Sequence, residues 1–210
     1  MKAAIFDMDG TLLDSMGMWQ DVTLTILESV SGEISDAHSA QLDRMGTREK
    51  IKYLISQGIA QISEAELMAQ ARALIRKEYY AKSTVKPGAA EYLRQLAAQG
   101  VPCAVATVTE GDIARDVLAF HGLLKYLRFA IGSDEVGKGK AEPDIYLEAA
   151  RRLGMQPHET AVFEDSLYAA QTAKKAGFLL YGISDTHAAD DKDALRALSD
   201  TFIEGFAELL

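Results

Sequence analysis

Short apolar runs alternate with amphipathic stretches along most of the chain. Each run is apolar and too short for a helix, which predicts strands at 3–6, 101–107, 127–131, 160–163 and 178–183. Apolar residues at three- and four-residue spacing predict helices between them, at 87–98, 112–121 and 144–153. This alternation predicts an α/β fold, with a mainly parallel sheet and helices on both of its faces. Ligands of such sheets bind at the carboxyl ends of the strands.

One long stretch departs from this alternation. Between 15 and 84 there is no strand pattern, and the helical period recurs at 20–30, 35–42, 47–57 and 64–80. Ser63 and Glu66 have the spacing of a capping box at the start of the last helix. We therefore predict an all-helical domain at 15–84, inserted into an α/β domain made of 1–14 and 85–210.

The segment after the fifth predicted strand is rich in aspartate. We expect it to form a solvated surface with a closing helix at 192–198, and its acidic residues are Asp185, Asp190, Asp191 and Asp193. The single cysteine, Cys103, permits neither a disulfide within the chain nor a thiolate metal cluster. Its apolar neighbours predict a buried core thiol.

Composition and charge narrow the class of partner. Hydrophobic residues make up 48% and charged residues 25% of the 210 residues, which is ordinary for a globular protein. The net charge of −9 repels nucleic acids and anionic membranes, so we expect neither as a partner. It also repels a phosphorylated ligand unless a local cation reverses the field. The sequence shows no signal-peptide pattern and no apolar window of about 18 residues, so we expect a cytoplasmic location.

Acidic pairs follow two of the predicted strands. Asp7 and Asp9 lie directly after the first strand, and side-chain alternation places both on the same side of an extended backbone. Burying two carboxylates together is unfavourable unless a cation or a proton compensates. A solvated acidic turn is the alternative. Glu164 and Asp165 form a second pair where the fourth strand ends.

The strand ends of a doubly wound sheet can converge on one crevice. Clustered carboxylates without cysteine ligands or a histidine cluster suit a hard cation, chiefly Mg²⁺. Thr107 offers a hydroxyl at the end of the second strand. Lys140 precedes the helix at 144–153 and could hold an anion as a point charge.

These positions, in order along essentially the whole chain, resemble the haloacid dehalogenase superfamily, in its branch with a helical cap inserted after the first motif. The residues Asp7-Met8-Asp9-Gly10-Thr11 resemble its first motif, and the later motifs fall on Thr107, Lys140 and Glu164-Asp165. The resemblance implies a Rossmann-like core with an inserted helical cap, as in the β-phosphoglucomutase-like phosphatases. Ala141 departs from the proline that commonly follows the lysine.

The resemblance also implies chemical roles. Asp7 would attack phosphorus and form an aspartyl phosphate, and Asp9 would protonate the leaving oxygen and later activate water. Mg²⁺ would be bound by Asp7, by the backbone carbonyl of Asp9 and by Asp165. Glu164 would either bind the metal directly or contact one of its ligands.

Three further positions would contact the substrate. Thr107 and Lys140 would hold the phosphoryl oxygens. Arg48 matches a position at which some relatives place a substrate-facing arginine, although a solvated surface charge explains it equally well. Trp19 is expected to pack within the cap.

The resemblance implies a magnesium-dependent phosphatase that acts on a small phosphorylated metabolite, as a monomer or weak dimer. A sugar-phosphate mutase is the alternative, but such relatives carry a histidine in the first cap helix and residues 16–20 contain none. A non-catalytic phospholigand-binding protein is disfavoured because Asp7, Asp9, Lys140 and Asp165 are all present. Dehalogenation does not need Asp9, and relatives that hydrolyse phosphonates lack it.

Overall fold

The structure is a computed structural model that describes residues 1–30, 42 and 47–210, without the side chain of Gln20. The predicted helix at 35–42 therefore lies almost entirely outside the described residues. None of the described helices has the length and apolar character needed to cross a membrane.

One parallel sheet organises the larger part of the chain. The strands of the described residues are β1 (Ala3–Phe6), β2 (Leu13–Asp14), β3 (Thr84–Val85), β4 (Cys103–Thr107), β5 (Phe129–Gly132), β6 (Thr160–Glu164), β7 (Leu179–Ile183) and β8 (Thr201–Ile203). Six of them form the sheet in the order β5-β4-β1-β6-β7-β8, and every neighbouring pair is parallel. The predicted α/β fold is thereby confirmed. Strand β8 was not predicted.

Helices lie between the strands along the chain. In the described residues they are α1 (Met16–Ser29), α2 (Thr47–Ser56), α3 (Glu64–Lys82), α4 (Ala89–Ala98), α5 (Gly111–Phe120), α6 (Ser133–Val136), α7 (Asp144–Leu153), α8 (Leu167–Lys175) and α9 (Lys192–Leu198). The sequence predicted most of them within a few residues, including α9 at its observed bounds. It did not predict α6 or α8.

Both faces of the sheet are covered. Ile5 and Phe6 of β1 are fully buried, and strand geometry directs neighbouring side chains to opposite faces. Ile5 belongs to a core cluster with Ile145 of α7, whereas the Phe6 ring stacks on Phe163 at 4.4 Å and meets Tyr92 of α4 at 6.4 Å. A strand buried on both sides explains the unbroken apolar run that predicted it.

The chain divides into two compact units, 1–16 with 83–210 and 17–82. We expected no strand between residues 15 and 84, and this is wrong at residue 84. Thr84 and Val85 form β3, which pairs antiparallel with β2 through Asp14↔Thr84 and Leu13↔Val85. Strands of two residues are too short to show the alternation from which a sequence predicts them.

Helices joined by loops make up the described residues of the second unit. The Glu66 N–H donates to Ser63 Oγ at 3.2 Å, which is one of the two bonds of the predicted capping box. Trp19 packs edge to face against Tyr79 within this unit, with ring centroids 5.8 Å apart. Arg48 is exposed in the first turn of α2.

Candidate active site

The carboxyl ends of three neighbouring strands place the predicted residues at one edge of the sheet. Asp7 directly follows β1, and its backbone N–H donates to the Phe163 carbonyl oxygen of β6 at 2.9 Å. The register Phe6↔Phe163 continues this pairing, so that Asp7 lies beside Glu164, the last residue of β6. Thr107 ends β4 on the other side of β1.

Three buried carboxylates form a cluster at this edge. One oxygen each of Asp7, Glu164 and Asp165 lies within 4.8 Å of the others, and these residues are only 6%, 1% and 5% exposed. Burial, with the charge of Glu164 added to it, raises the pKa of Asp7 well above its usual range, although Lys140 opposes the rise. The same two effects raise the pKa of Asp165 to about 7. The cluster therefore favours any process that brings in positive charge.

Lys140 supplies part of that charge. Its ammonium is buried, contacts Asp7 Oδ1 and lies 2.5 Å from Glu164 Oε1. Burial alone would lower the pKa of Lys140, but the two carboxylates raise it above its usual value, so Lys140 stays charged. One ammonium offsets at most one carboxylate charge, and protons or a divalent cation would offset the rest.

The local geometry fits such a cation. Glu164 Oε2 is buried and has no hydrogen-bond partner among the described residues, a condition that a metal ion relieves. Gly10 adopts φ +85°, and a Cβ on it would lie 2.3 Å from Asp165 Oδ2. The Thr11 hydroxyl donates to the other oxygen of Asp165 at 2.8 Å. The cluster offers only oxygen donors, as Mg²⁺ requires.

Asp9 is held by hydrogen bonds from two hydroxyl groups, and its charge also acts on Asp7. Its Oδ1 accepts a hydrogen bond from Ser15 Oγ at 2.7 Å, and its Oδ2 accepts one from Thr109 Oγ1 at 2.9 Å. The Asp9 side chain is therefore positioned by two hydroxyls. Its predicted metal contact is through the backbone carbonyl and remains a prediction.

Thr107 and Arg48 complete the predicted site residues. Thr107 is fully buried, and its hydroxyl oxygen accepts the Thr109 N–H at 3.1 Å. A hydroxyl that accepts one bond can still donate one. Arg48 belongs to the second compact unit, and its predicted contact with substrate remains a prediction.

Residues 1–177 match the family of haloacid dehalogenase-like hydrolases. The chain belongs to this family. It is 29% identical over 208 residues to the validoxylamine A 7′-phosphate phosphatase of Streptomyces hygroscopicus subsp. limoneus, across 99% of this chain and 95% of that protein. It is 30% identical over 198 residues to the phosphorylated carbohydrates phosphatase of Thermotoga maritima, across 93% of this chain and 90% of that protein.

A solved structure shows the same fold. CbbY from Rhodobacter sphaeroides, in complex with phosphate, superimposes with a TM-score of 0.83 at 22% identity, over 99% of this chain and 96% of that one. The family membership and the phosphatases among the relatives identify the chain as an enzyme, a phosphatase of the haloacid dehalogenase type.

Two groups at the site were not predicted as functional. Tyr146 of α7 is fully buried, and its hydroxyl donates to Glu164 Oε1 at 2.5 Å. Burial and the Glu164 charge raise the pKa of Tyr146 well above its usual range, so the hydroxyl stays protonated. A tyrosine on the apolar face of a helix could have signalled this contact, since a buried hydroxyl usually finds a partner.

The second group corrects a prediction. Asp185 was expected on a solvated surface, yet it is only 7% exposed and pairs with Lys86 Nζ at 2.7 Å. The prediction failed because this partner is distant in sequence and follows β3. Asp185 raises and Lys86 lowers the pKa of Asp165, which places the pair electrostatically beside the carboxylate cluster.

Proposed function

We propose that the protein is a magnesium-dependent phosphatase that hydrolyses a small phosphorylated metabolite through an aspartyl phosphate on Asp7. The observation that supports this most directly is the buried cluster of Asp7, Glu164 and Asp165, in which the Lys140 ammonium contacts Asp7 and Glu164. Mg²⁺ held by these carboxylates would offset their charge and the charge on the transferring phosphoryl oxygens.

Asp7 is the proposed nucleophile. One of its oxygens contacts Lys140, which fixes the carboxylate and screens its negative charge from that of a phosphate. Attack on phosphorus forms the bond from Asp7 to phosphorus and breaks the ester bond to the leaving oxygen. Splitting the transfer through such an acyl phosphate replaces one difficult step by two easier ones.

Asp9 is the proposed acid and base. Its carboxyl group gives a proton to the leaving oxygen in the first step and takes one from water in the second, when water attacks phosphorus and releases Asp7. The two hydroxyl contacts from Ser15 and Thr109 support this role because they fix the orientation of the Asp9 carboxyl group. Thr107 and Lys140 are proposed to hold the phosphoryl oxygens.

We further propose that the second unit is a cap that selects the substrate. The unit 17–82 is inserted between β2 and β3, and its described residues form helices and loops. Arg48 on α2 is its proposed substrate contact. The absence of histidine from residues 16–20 favours hydrolysis over a mutase reaction. A cytoplasmic monomer or weak dimer is the proposed form.

A screen of phosphorylated metabolites tests the proposal. With MgCl₂ present, we expect release of inorganic phosphate from at least one small phosphoester, and abolition of that release by excess chelator. Restored turnover on adding Mg²⁺ back is the control for damage by the chelator. Full turnover in excess chelator would contradict metal dependence, and an isomeric phosphoester in place of phosphate would indicate a mutase.

A further inference from the structure

Tyr146 connects the hydrophobic core to the carboxylate cluster. It is fully buried in the first turn of α7, and its ring packs against Phe178 with centroids 6.1 Å apart. The hydroxyl at the other end of the side chain donates to Glu164 Oε1 at 2.5 Å. An O–H···O⁻ bond of this length is charge-assisted and stronger than one between neutral groups.

The two carboxylate oxygens of Glu164 have different surroundings. Oε1 accepts from both Tyr146 and Lys140, whereas Oε2 is buried without a hydrogen-bond partner in the part of the chain that the structure describes. An orphaned buried acceptor is unfavourable unless a ligand satisfies it. With Oε1 already engaged by two donors, Oε2 is the oxygen left for a cation.

We propose that Tyr146 is a positioning residue for the metal site. Its hydroxyl holds Oε1 of Glu164, so that Oε2 is directed to Mg²⁺. The inference rests on the proposed function, since it concerns the same cation.

The tyrosine ring and its hydroxyl have separable roles. The Lys140 ammonium lies 5.6 Å from the centroid of the Tyr146 ring, so that the ring itself helps to place Lys140. Tyr146→Phe keeps this ring and the core packing and removes only the hydroxyl. The substitution therefore tests the contact with Glu164 and leaves the other contacts of the side chain in place.

Calorimetric titration of the metal-free protein with MgCl₂ tests the inference. Loss of a residue that orients a metal ligand typically weakens metal binding by about 10- to 100-fold, which we expect for Tyr146→Phe. Phosphatase activity should fall at limiting Mg²⁺ and recover at saturating Mg²⁺, with KM for the phosphoester unchanged. Tyr92→Phe is the matched control, because Tyr92 is 4% exposed and packs among Phe6, Phe163 and Phe206.

A double-mutant cycle identifies the residue through which Tyr146 acts. In a Glu164→Ala background, Tyr146→Phe should change the affinity for Mg²⁺ by less than about twofold, since the oxygen that accepts the Tyr146 hydroxyl is gone. Equal losses in both backgrounds, no loss in Tyr146→Phe, or an equal loss in Tyr92→Phe would each overturn the inference. Absence of Mg²⁺ binding by the wild-type protein would overturn the proposed function as well. Urea unfolding without Mg²⁺ shows whether any variant has simply lost its fold.

Discussion

Asp7 and Asp9 are separated by one residue, yet they have different surroundings. Asp7 lies in the carboxylate cluster and contacts Lys140, whereas Asp9 is held by the hydroxyls of Ser15 and Thr109. This difference is consistent with one carboxylate acting as nucleophile and the other exchanging protons. It also makes their roles separable by experiment.

Asp7→Asn should abolish formation of a phosphoenzyme, because the attacking oxygen is gone. Asp9→Asn should keep the nucleophile and lose the proton transfers, which are worth about 100- to 10,000-fold in turnover. With an aryl phosphate the leaving group needs little protonation, so a slow burst should survive in Asp9→Asn alone. Rapid mixing followed by mass measurement of the trapped protein checks this. A phosphoryl adduct on Asp7→Asn would show that the nucleophile lies elsewhere.

Gly10 is a residue whose lack of a side chain the site requires. It combines φ +85° with the close approach of Asp165, whose Oδ2 lies 2.3 Å from the place of a Cβ. Gly100 shares a left-handed conformation, at φ +75°, but a Cβ there meets nothing within 4 Å. Gly100→Ala therefore reports the backbone strain alone.

We expect Gly100→Ala to lose about 1 to 2 kcal/mol of unfolding free energy from that strain and to keep its activity. Gly10→Ala should lose more, and its affinity for Mg²⁺ should fall because the new methyl group displaces Asp165. Urea unfolding and MgCl₂ titration of both variants provide the comparison. Equal losses of unfolding free energy and equal affinities for Mg²⁺ in the two variants would show that the contact with Asp165 does not restrict the residue type at position 10.

The cluster residues could be predicted because each lies where an apolar strand ends. Asp7, Glu164 and Asp165 needed only the strand pattern and the rule that ligands bind at carboxyl ends. Tyr146 and Asp185 could not be assigned in this way. Their partners lie 18 and 99 positions away (164 − 146 and 185 − 86), and only the folded chain brings them together.

At the scale of elements, a buried ion pair joins two segments of the first unit. Lys86 follows β3 and Asp185 follows β7, and their side chains are 13% and 3% exposed. Lys86 Nζ also donates to the Ser184 carbonyl oxygen at 3.1 Å, while the His187 N–H donates to Asp185 Oδ1 at 2.8 Å. The connection that returns from the second unit is thereby attached to the carboxyl end of β7.

Lys86→Met should destabilise the protein by about 3 kcal/mol, because it leaves the Asp185 charge buried without its cation. Adding Asp185→Asn to that variant should recover part of the loss. Denaturant unfolding at pH 7 measures both. A Lys86→Met protein as stable as the wild type would show that solvent already satisfies Asp185.

The ion pair of Lys86 and Asp185 also predicts that the stability of the protein depends on pH. Burial opposes ionisation of Asp185, but Lys86 and the His187 N–H outweigh it and lower the pKa of Asp185 below its usual 3.8. The stabilisation is therefore present above about pH 4 and is lost as the pH falls further. The difference in unfolding free energy between wild type and Asp185→Asn should accordingly shrink between pH 6 and pH 3, as denaturant unfolding over that range would show.

Most elements that the sequence did not predict are short or weakly patterned. β2 and β3 have two residues each and β8 has three, so none spans enough residues to show a period of two. Helix α8 has only small residues on its buried face, namely Ala169, Ala170 and Ala173, and its apolar periodicity is weak. Longer and more strongly patterned elements such as α7 were predicted at their observed bounds.

For the molecule as a whole, part of the negative charge is buried in one place. Three carboxylates lie buried together in a protein that is already anionic, and Lys140 offsets only part of their charge. Binding of a cation should therefore act on stability as well as on catalysis. Repulsion within the cluster should therefore lower the stability of the metal-free protein.

Metal binding, proton binding and stability are linked at Asp165. Burial and Glu164 raise the pKa of Asp165 from 3.8 to about 7 in the metal-free protein. A raised pKa means that the folded state binds the proton more tightly than the unfolded state. The stabilisation that this proton gives the folded state is complete below about pH 4 and is lost as the pH rises through about 7. Metal-free protein should thus lose stability over this range, and Asp165→Asn should lose less.

Mg²⁺ should reverse this trend, because it binds the deprotonated carboxylates and competes with protons. At 100 times its Kd a ligand adds about 2.7 kcal/mol, which corresponds to about 5 to 10 °C in Tm for a chain of this size. We expect that shift at pH 7.5 and a much smaller one at pH 5. Thermal unfolding with and without MgCl₂ at both pH values measures the two shifts in Tm, and NaCl at equal ionic strength is the control. An equal shift at both pH values would mean that Mg²⁺ binds elsewhere than at the titrating cluster.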